Sequence, residues 1–358
     1  MINEWYCSTS NYLGSLSVDE LDLPASEPKW MLDVTTENIV AMNMCMVGGF
    51  LYFISHHKNQ EFIRCVSLES GVTVWRKSYD FKGLMPLSVN ETYACFGHLI
   101  LDRISGDKIF DLKEACGDLD EDEITLLADD KVLVFINNEN VEKKYILFDL
   151  VSKQYRDIEC ESVVTAVANS YVLGKLDNKV SKFSLEDNKN DWQFDLIGGT
   201  DRFCRIISNG AIVIVKNNKN ISFLDVVSGA LLKSYSQEKL SSVTGVELIF
   251  ESDIYLLCTL KHLVILKNAK DKSWLVLISL DDFSICSCTQ QPLYGGFCLA
   301  GDYLFGLGKD FYPIAMRLPN FELCWEGKSP ISSSKVIAGN NHVIYAFSGG
   351  GFQCYGPD

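Results

Sequence analysis

Segments in which apolar and polar residues alternate run along almost the whole chain, and short polar turns separate them. Residues 62–75 give a clear copy, in which an apolar segment leads into Ser70 and Gly71 and a second apolar segment ends at Trp75. Residues 221–233 repeat this order around Gly229. An alternation of period two predicts β-strands, and a Ser-Gly turn between two such strands predicts a hairpin.

The hairpins recur about eight times along the chain, with a spacing of about 35–45 residues. A strand-rich repeat of this length predicts an all-β fold, a single β-propeller of eight four-stranded blades. Seven blades are the alternative if the second or third copy is too irregular to form a complete sheet. The sixth copy is longer than the others, and its extra residues predict a longer hairpin. The predicted blades begin near Ile39, Leu87, Ile124, Val163, Phe203, Val246, Gly296 and Lys335.

The two ends of the chain predict how the ring closes. Residues 335–355 provide three strands of the last copy, whereas an isolated strand surrounds Trp30. Pairing the N-terminal strand with the C-terminal strands completes the eighth blade and removes an open sheet edge. We therefore predict a leader over residues 1–27, packed on the ring, and a single propeller domain over residues 28–358.

The turn and returning strand at residues 66–75 resemble the tryptophan-docking repeat of PQQ-like, quinoprotein-type propellers. In that repeat a small-Gly turn precedes a strand whose tryptophan packs between adjacent blades. The resemblance implies an eight-bladed ring in one of two branches, exported quinone-dependent dehydrogenases or non-enzymatic scaffold and immunity-type propellers. Further matches are the turns at Gly106 and Gly229 and the packing positions at Trp192 and Trp325.

The cysteine pattern favours the non-enzymatic branch. The dehydrogenases of the resembled family carry an adjacent Cys-Cys pair beside the quinone, and this chain has no such dipeptide. Its nearest equivalent is Cys286 and Cys288, which lie on the same face of a predicted strand. We interpret them as two core residues, with a metal or redox role as the alternative.

The five histidines give no sign of catalysis or of a metal site. His56 and His57 follow Phe53 and Ile54 in a predicted hairpin, where adjacent side chains point to opposite faces, so the pair does not chelate one ion unless the turn redirects a ring. We interpret them as residues of a solvated turn. His98, His262 and His342 have no Cys or His partner at zinc spacing. The common nucleophile, Walker and EF-hand motifs are also absent from the sequence. We therefore predict no enzymatic activity, no cofactor and no metal.

The charge bears on the partner. The chain carries 47 acidic and 32 basic residues, a net charge of −15. Such a surface repels nucleic-acid backbones and favours a basic protein partner, with the protein as a monomer or in a 1:1 complex. A run of carboxylates between the second and third copies is either a solubilising loop or a docking site, and acidic residues of the leader are assigned to the same candidate site. The candidate partner-binding residues are Asp118, Asp120, Glu121, Asp122, Glu123, Asp19, Glu20 and Asp22.

The sequence also bears on location. No apolar stretch reaches the about 18–20 residues that a transmembrane helix requires, and Glu4 lies where a signal peptide carries bases. Thirteen cysteines, an odd number, are scattered singly through the chain, which is typical of free thiols in a reducing compartment. We therefore expect a cytoplasmic protein that does not bind membranes.

These features favour a non-enzymatic protein-binding propeller. Strong acidity without a catalytic motif favours an immunity or inhibitor protein that neutralises a basic toxin, for example a nuclease, by covering its active site. A general scaffold for protein assembly is the first alternative. A small-ligand or quinone-binding enzyme that uses the central channel is the second.

Overall fold

A computed structural model of the chain has the predicted architecture. The structure describes residues 21–33, 38–57, 60–79, 87–116, 125–128, 130–136, 144–158, 162–167, 171–176, 178–186, 189–196, 204–250, 254–268, 272–331, 333–347 and 350–357. Strands in these ranges form eight antiparallel sheets of four strands each. The prediction of eight blades is confirmed and the seven-blade alternative is wrong, because the second and third copies each form a complete sheet.

The first strand, β1 (Trp30–Asp33), belongs to the last blade, and the first four blades follow it in chain order. Blade one comprises β2 (Asn38–Val47), β3 (Phe50–His57), β4 (Gln60–Ser67) and β5 (Thr73–Tyr79). Blade two comprises β6 (Leu87–Val89), β7 (Tyr93–Phe96), β8 (Leu99–Asp102) and β9 (Lys108–Asp111), which helix α1 (Leu112–Cys116) follows. Blade three comprises β10 (Thr125–Ala128), β11 (Lys131–Ile136), β12 (Lys144–Asp149) and β13 (Gln154–Ile158). Blade four comprises β14 (Ser162–Val167), β15 (Tyr171–Leu176), β16 (Lys179–Ser184) and β17 (Asn190–Asp195).

The second half of the chain forms the other four blades. Blade five comprises β18 (Arg205–Ser208), β19 (Ile212–Lys216), β20 (Asn220–Asp225) and β21 (Leu231–Ser236), which helix α2 (Gln237–Thr244) follows. Blade six comprises β22 (Ile254–Cys258), β23 (His262–Asn268), β24 (Ser273–Ser279) and β25 (Ile285–Gln291). Blade seven comprises β26 (Tyr294–Ala300), β27 (Tyr303–Leu307), β28 (Pro313–Arg317) and β29 (Glu322–Glu326). Blade eight comprises β30 (Ser333–Gly339), β31 (His342–Phe347), β32 (Gly351–Tyr355) and β1.

The ring closes as the sequence predicts. Strand β1 pairs antiparallel with β32, placing Trp30 opposite Cys354 and Asp33 opposite Gly351. The residues before β1 continue this contact, since the Ala25 amide donates to the Gly356 carbonyl at 3.0 Å. Both ends of the chain are thereby held in one sheet, which ties the first and last blades together.

We call the first strand of each blade its inner strand, the fourth its outer strand, and the turn that joins the third and fourth strands its outer turn. Inner strands of neighbouring blades contact each other in the order β14, β18, β22, β26, β30, β2, β6 and β10. Hydrogen bonds join blades three and four, since the Leu185 carbonyl of blade four accepts from Arg156 Nη2 at 2.5 Å and from Lys131 Nζ at 3.1 Å, both in blade three.

The core lies between blades. One cluster joins Ile54 of blade one to Phe96 of blade two, and another joins Phe223 of blade five to Ile265 of blade six. These side chains are fully buried because both faces of each twisted sheet are covered. At about 25 cal/mol per Å² of apolar surface, such burial provides most of the cohesion of the ring.

Three tryptophans dock across blade boundaries. Trp75, in the outer strand of blade one, donates its indole N–H to the Arg103 carbonyl in the outer turn of blade two at 3.1 Å. A Cβ on Gly106 of that turn would lie 2.7 Å from the indole, so only glycine fits beneath the ring. The same contact joins Trp30 to Leu68 and Gly71 and joins Trp192 to Val226 and Gly229.

At the remaining boundaries other residues make the contact, either in the docking position or, for Tyr235, two residues beyond it. An aromatic stack, a guanidinium and two hydroxyls replace the indole, and the hydroxyls and the guanidinium still donate to a carbonyl of the next outer turn. At the boundary of blades seven and eight, Trp325 instead packs edge-on against Tyr355 at 5.2 Å. The chain ends meet there, so no continuous outer turn is present. The replacing contacts are Phe110 on Phe148, Arg156 to Leu185, Tyr235 to Phe283 and Ser287 to Pro319.

The sixth copy begins later than the sequence predicts, because its first strand β22 starts at Ile254 and not near Val246. Helix α2, which the sequence did not predict, precedes this copy and lies between blades five and six. Ser236 caps α2 by accepting from the Lys239 amide at 3.2 Å, and Gly245 ends the helix with φ of 68°. Leu240 anchors α2 in the core of these two blades.

Candidate protein-binding surface

The outer turns project apolar side chains into solvent by a repeated local geometry. In blade two, the Asp102 carboxylate accepts from the Ile104 amide at 3.0 Å and from the Ser105 amide at 2.7 Å. This Asx turn buries Arg103 and leaves Ile104 54% exposed. The corresponding residues of blades three and five are also exposed, Val151 at 72% and Val227 at 75%.

Exposed apolar side chains continue along the outer strands of four consecutive blades, from blade eight through blade three. A recurrence in the outer strands of neighbouring blades is not required by burial, and exposed apolar groups of this kind mark binding surfaces. Blade four interrupts the series, because the exposed side chains of its outer strand are polar. We call the series the apolar rim, and its members are Met31, Val72, Val74, Ile104, Ile109, Val151 and Tyr155.

Carboxylates border the apolar rim. Lys29 Nζ lies 2.7 Å from Glu69 Oε1, and Lys77 Nζ lies 2.8 Å from Asp107 Oδ1, so both ion pairs cross a blade boundary. These hydrogen-bonded lysines lower the pKa of Glu69 and of Asp107. Hydrogen bonds from the backbone amide of Ser105 lower the pKa of Asp102 in the same way. All three carboxylates are therefore ionised at neutral pH.

The acidic residues predicted from the sequence lie mostly outside the described residues. This holds for Asp118, Asp120, Glu121, Asp122, Glu123, Asp19 and Glu20. Asp22 is described and exposed, and it follows Leu21, which is buried in the core of blades seven and eight. The described residues that flank the acidic connector, Cys116 and Thr125, belong to blades two and three. Blade one therefore lies between the position of Asp22 and these flanks.

The histidines and cysteines form no metal centre in the part of the chain that the structure describes, where no group of three potential ligands is found. His56 and His57 are the last two residues of strand β3 and not part of a turn, which corrects the interpretation from the sequence. Cys286 is exposed and Cys288 is half-buried, so neither is the core residue that the sequence predicted. The Cys288 thiol lies 3.6 Å from the Thr244 carbonyl, and burial raises its pKa.

Two buried ionisable residues are unexpected. Glu61 is only 2% exposed, burial raises its pKa to about 7, and its Oε2 has no hydrogen-bond partner among the described residues. Lys216 is buried as well, and burial lowers its pKa to about 8. Its Nζ donates to the Phe250 carbonyl at 2.5 Å, which holds the segment after α2 over blades five and six. Lys216 therefore has a structural role.

The sequence reasoning missed the apolar rim, although a signal for it was present. Apolar residues at the third position of Asp-led turns, as in Ile104 and Val151, lie where turns are normally polar. Helices in the described ranges are all too short, or too polar, to cross a lipid bilayer.

Comparison with known proteins finds solved structures with a similar fold. No family model and no curated protein sequence matches the chain. BamB from Moraxella catarrhalis has a TM-score of 0.61 at 10% identity, over 93% of this chain and 100% of that one. The computationally designed protein Ika8 has a TM-score of 0.60 at 13% identity, over 92% and 99%. A quinohemoprotein alcohol dehydrogenase, ADHIIG from Pseudomonas putida HK5, has a TM-score of 0.59 at 10% identity, over 96% and 78%.

These comparisons and the strand order define the fold, an eight-bladed β-propeller that is similar in structure to BamB and to a quinohemoprotein alcohol dehydrogenase. The neighbours include both an alcohol dehydrogenase and a designed protein, and their identities are low. The shared fold therefore assigns no activity, and function has to be argued from the surface. The surface features described above fit a protein-interaction propeller.

Proposed function

We propose that this protein is a non-enzymatic propeller that binds a basic protein partner through the apolar rim. The unbroken run of exposed apolar side chains across four consecutive blades, eight, one, two and three, carries the proposal. Apolar side chains at the centre of an interface supply affinity, and the surrounding carboxylates select a positively charged partner. The net charge of −15 accelerates the encounter with such a partner.

A basic toxin is the specific partner that we propose, with the propeller as a cytoplasmic immunity or inhibitor protein in a 1:1 complex. A nuclease is the example, since an active site that attracts phosphate has to be basic. Covering that site with an acidic surface blocks the substrate. This step is supported by charge complementarity alone.

The test is capture of the partner by the tagged protein at about 0.15 M ionic strength, followed by mass spectrometry. The rim variant carries Val74→Lys, Ile109→Lys and Tyr155→Lys. A control variant with the same change in net charge carries Val227→Lys, Leu231→Lys and Leu323→Lys, three exposed side chains on blades five and seven. We expect one basic partner that the wild type and the control retain and that the rim variant binds at least about 100-fold more weakly.

Equal capture by the rim variant and the control would contradict the proposed surface. A partner that is acidic would contradict the proposed charge selection. Several unrelated partners that depend on the rim would favour the assembly scaffold over the immunity protein. A single partner with nuclease activity that the propeller inhibits would support the immunity function.

A further inference from the structure

The outer strand of blade six, β25, differs from the other outer strands in its lack of charge. Its sequence from Ile285 to Gln291 contains no Asp, Glu, Lys or Arg. Each of the seven other outer strands contains at least one such residue within its described bounds. Charged side chains protect an exposed sheet edge against pairing with another chain, and β25 lacks this protection.

The exposed edge of β25 is also long and unpaired. With seven residues, β25 is as long as β5, and no outer strand that the structure describes is longer. None of its seven side chains is buried. Pairing with β24 runs from Ser287 to Gln291 beyond a bulge at Cys286. In the described residues, the only further backbone bond of β25 is that from the Leu293 amide to the Gln291 carbonyl at 2.9 Å.

Contacts on both faces of β25 hold the strand in place. Ser287 Oγ donates to the Pro319 carbonyl in the outer turn of blade seven at 2.7 Å, and Gln291 lies on the same face. On the opposite face, the Cys288 thiol contacts the Thr244 carbonyl at the end of α2. The strand is thereby fixed between blade seven and α2, so its edge is preorganised for a guest strand.

Charges at the two ends of the strand give the edge a polarity. Asp281 and Asp282 are exposed beside the N-terminal end, and the Ser284 amide lowers the pKa of Asp282, so this carboxylate is ionised. Lys272 is exposed beside the other end, next to Ser273, which pairs with Gln291. A guest strand with a basic residue near the two aspartates therefore has complementary charge.

We propose that β25 accepts an extended segment of a partner protein as a fifth strand of blade six, with a Lys or Arg of that segment beside Asp281 and Asp282. Main-chain hydrogen bonds supply affinity in this mode, and the aspartates select the register and direction of the guest. A second copy of this chain is a poor occupant, because two molecules with a charge of −15 repel each other. The proposal does not depend on the apolar rim.

The test uses a phage-displayed library of random linear peptides selected against the full chain. Selected peptides are resynthesised, and amide hydrogen exchange of the protein is measured with and without each peptide. We expect peptides of high β-propensity with a Lys or Arg at one end, and protection of amides between residues 286 and 291 that the other outer strands do not show. Unchanged exchange in β25 with saturating peptide would overturn the proposal.

Variants locate the charge selection. Asp281→Asn with Asp282→Asn should weaken the peptides about three-fold and reduce the salt dependence of binding. The matched control, Asp191→Asn with Asp195→Asn on the outer strand of blade four, should bind as the wild type does, and so should the rim variant. Equal weakening by both double variants would contradict the register.

A second pair of variants tests the main-chain bonds. Successive amides of a strand point to opposite sides, so either Thr289→Pro or Gln290→Pro removes an N–H from the open edge and leaves the pairing with β24 intact. The variant that keeps the wild-type stability should lose peptide binding. If that variant binds normally, or if it abolishes a dimer of the wild-type protein, the proposed occupant is wrong.

Discussion

Blades one and four occupy equivalent places in the ring but present different surfaces. On the inward side their outer strands are alike, since Trp75 and Trp192 each dock on a glycine turn of the next blade. On the outward side, the exposed residue before the tryptophan is Val74 in blade one and Asp191 in blade four. Ring assembly thus constrains the inward position and leaves the outward position free. The apolar rim therefore needs a reason other than folding, and binding provides one.

The largest expected effect on stability comes from removing a docking tryptophan, the feature that the inward sides of blades one and four share. Trp192→Ala should lower the free energy of unfolding by about 3–5 kcal/mol, because it removes a buried indole and leaves the Val226 carbonyl without its donor. Chemical denaturation followed by tyrosine and tryptophan fluorescence measures the change. Gln193→Ala, at the exposed neighbouring position, is the control and should stay within about 0.5 kcal/mol. Similar losses from the two variants would contradict the docking role.

The glycine beneath the indole gives the next largest effect. Gly229→Ala should cost about 2–4 kcal/mol, since φ is 69° and the new Cβ would lie 2.5 Å from the Trp192 indole. Gly210→Ala is the matched control, with φ of 89° and nothing within 4 Å of its Cβ. It should cost only the strain of about 1 kcal/mol. Equal losses in thermal or chemical unfolding would show that strain, and not the tryptophan contact, governs these turns.

A pH effect distinguishes the two blades further. Cys65 and Lys182 lie opposite the docking tryptophans of blades one and four. At the position four residues before them, blade one buries Glu61 and blade four exposes Asn178. Burial raises the pKa of Glu61 from 4.5 to about 7, so the unfolded chain loses this proton at lower pH than the folded one.

Stability from this group is therefore fully present below pH 4.5 and is lost as pH rises to about 7. The loss should reach up to about 3 kcal/mol. Glu61→Gln replaces the carboxyl group with an amide that is neutral at both pH values, so it should remove this part of the pH dependence. Denaturation at pH 4.5 and at about pH 7 measures the change. An identical pH dependence of the variant and the wild type would contradict a buried neutral Glu61.

The smallest expected effect concerns the outward side. Val74→Lys, Ile109→Lys and Tyr155→Lys replace exposed side chains, so each should change the free energy of unfolding by less than about 1 kcal/mol. Denaturation curves of the three single variants check this. A larger loss would mean that the apolar rim contributes to folding and would remove the argument that it serves binding.

The sequence was sufficient for the elements whose signal is local. The alternation predicted the blades, and the isolated strand around Trp30 predicted the closure, because each depends on a period-two pattern within a few residues. The sequence did not show that Trp75 docks on Gly106 of the next blade, since that contact joins two copies. Helix α2 was missed because its apolar positions, with Leu240 the one buried residue, are too few for a helical period.

The candidate surface was predicted less well. The acidic positions followed from composition, yet most of them lie outside the described residues, so their role stays a prediction. The exposure of Ile104 and Val151 depends on an Asx turn, which buries Arg103 and half-buries Leu150, and such a turn is visible only in three dimensions. The absence of charge between Ile285 and Gln291 is visible in the sequence, but only the strand order shows that β25 forms an open edge.

Amide hydrogen exchange of the propeller with and without its captured basic partner tests the central claim most directly. We predict protection in the outer strands of blades eight, one, two and three and in the outer turns of blades one, two and three, around Met31, Val74, Ile109 and Tyr155, and none in the outer strand of blade four. Protection of Asn190–Asp195, or of the inner strands alone, would contradict a binding surface at the apolar rim.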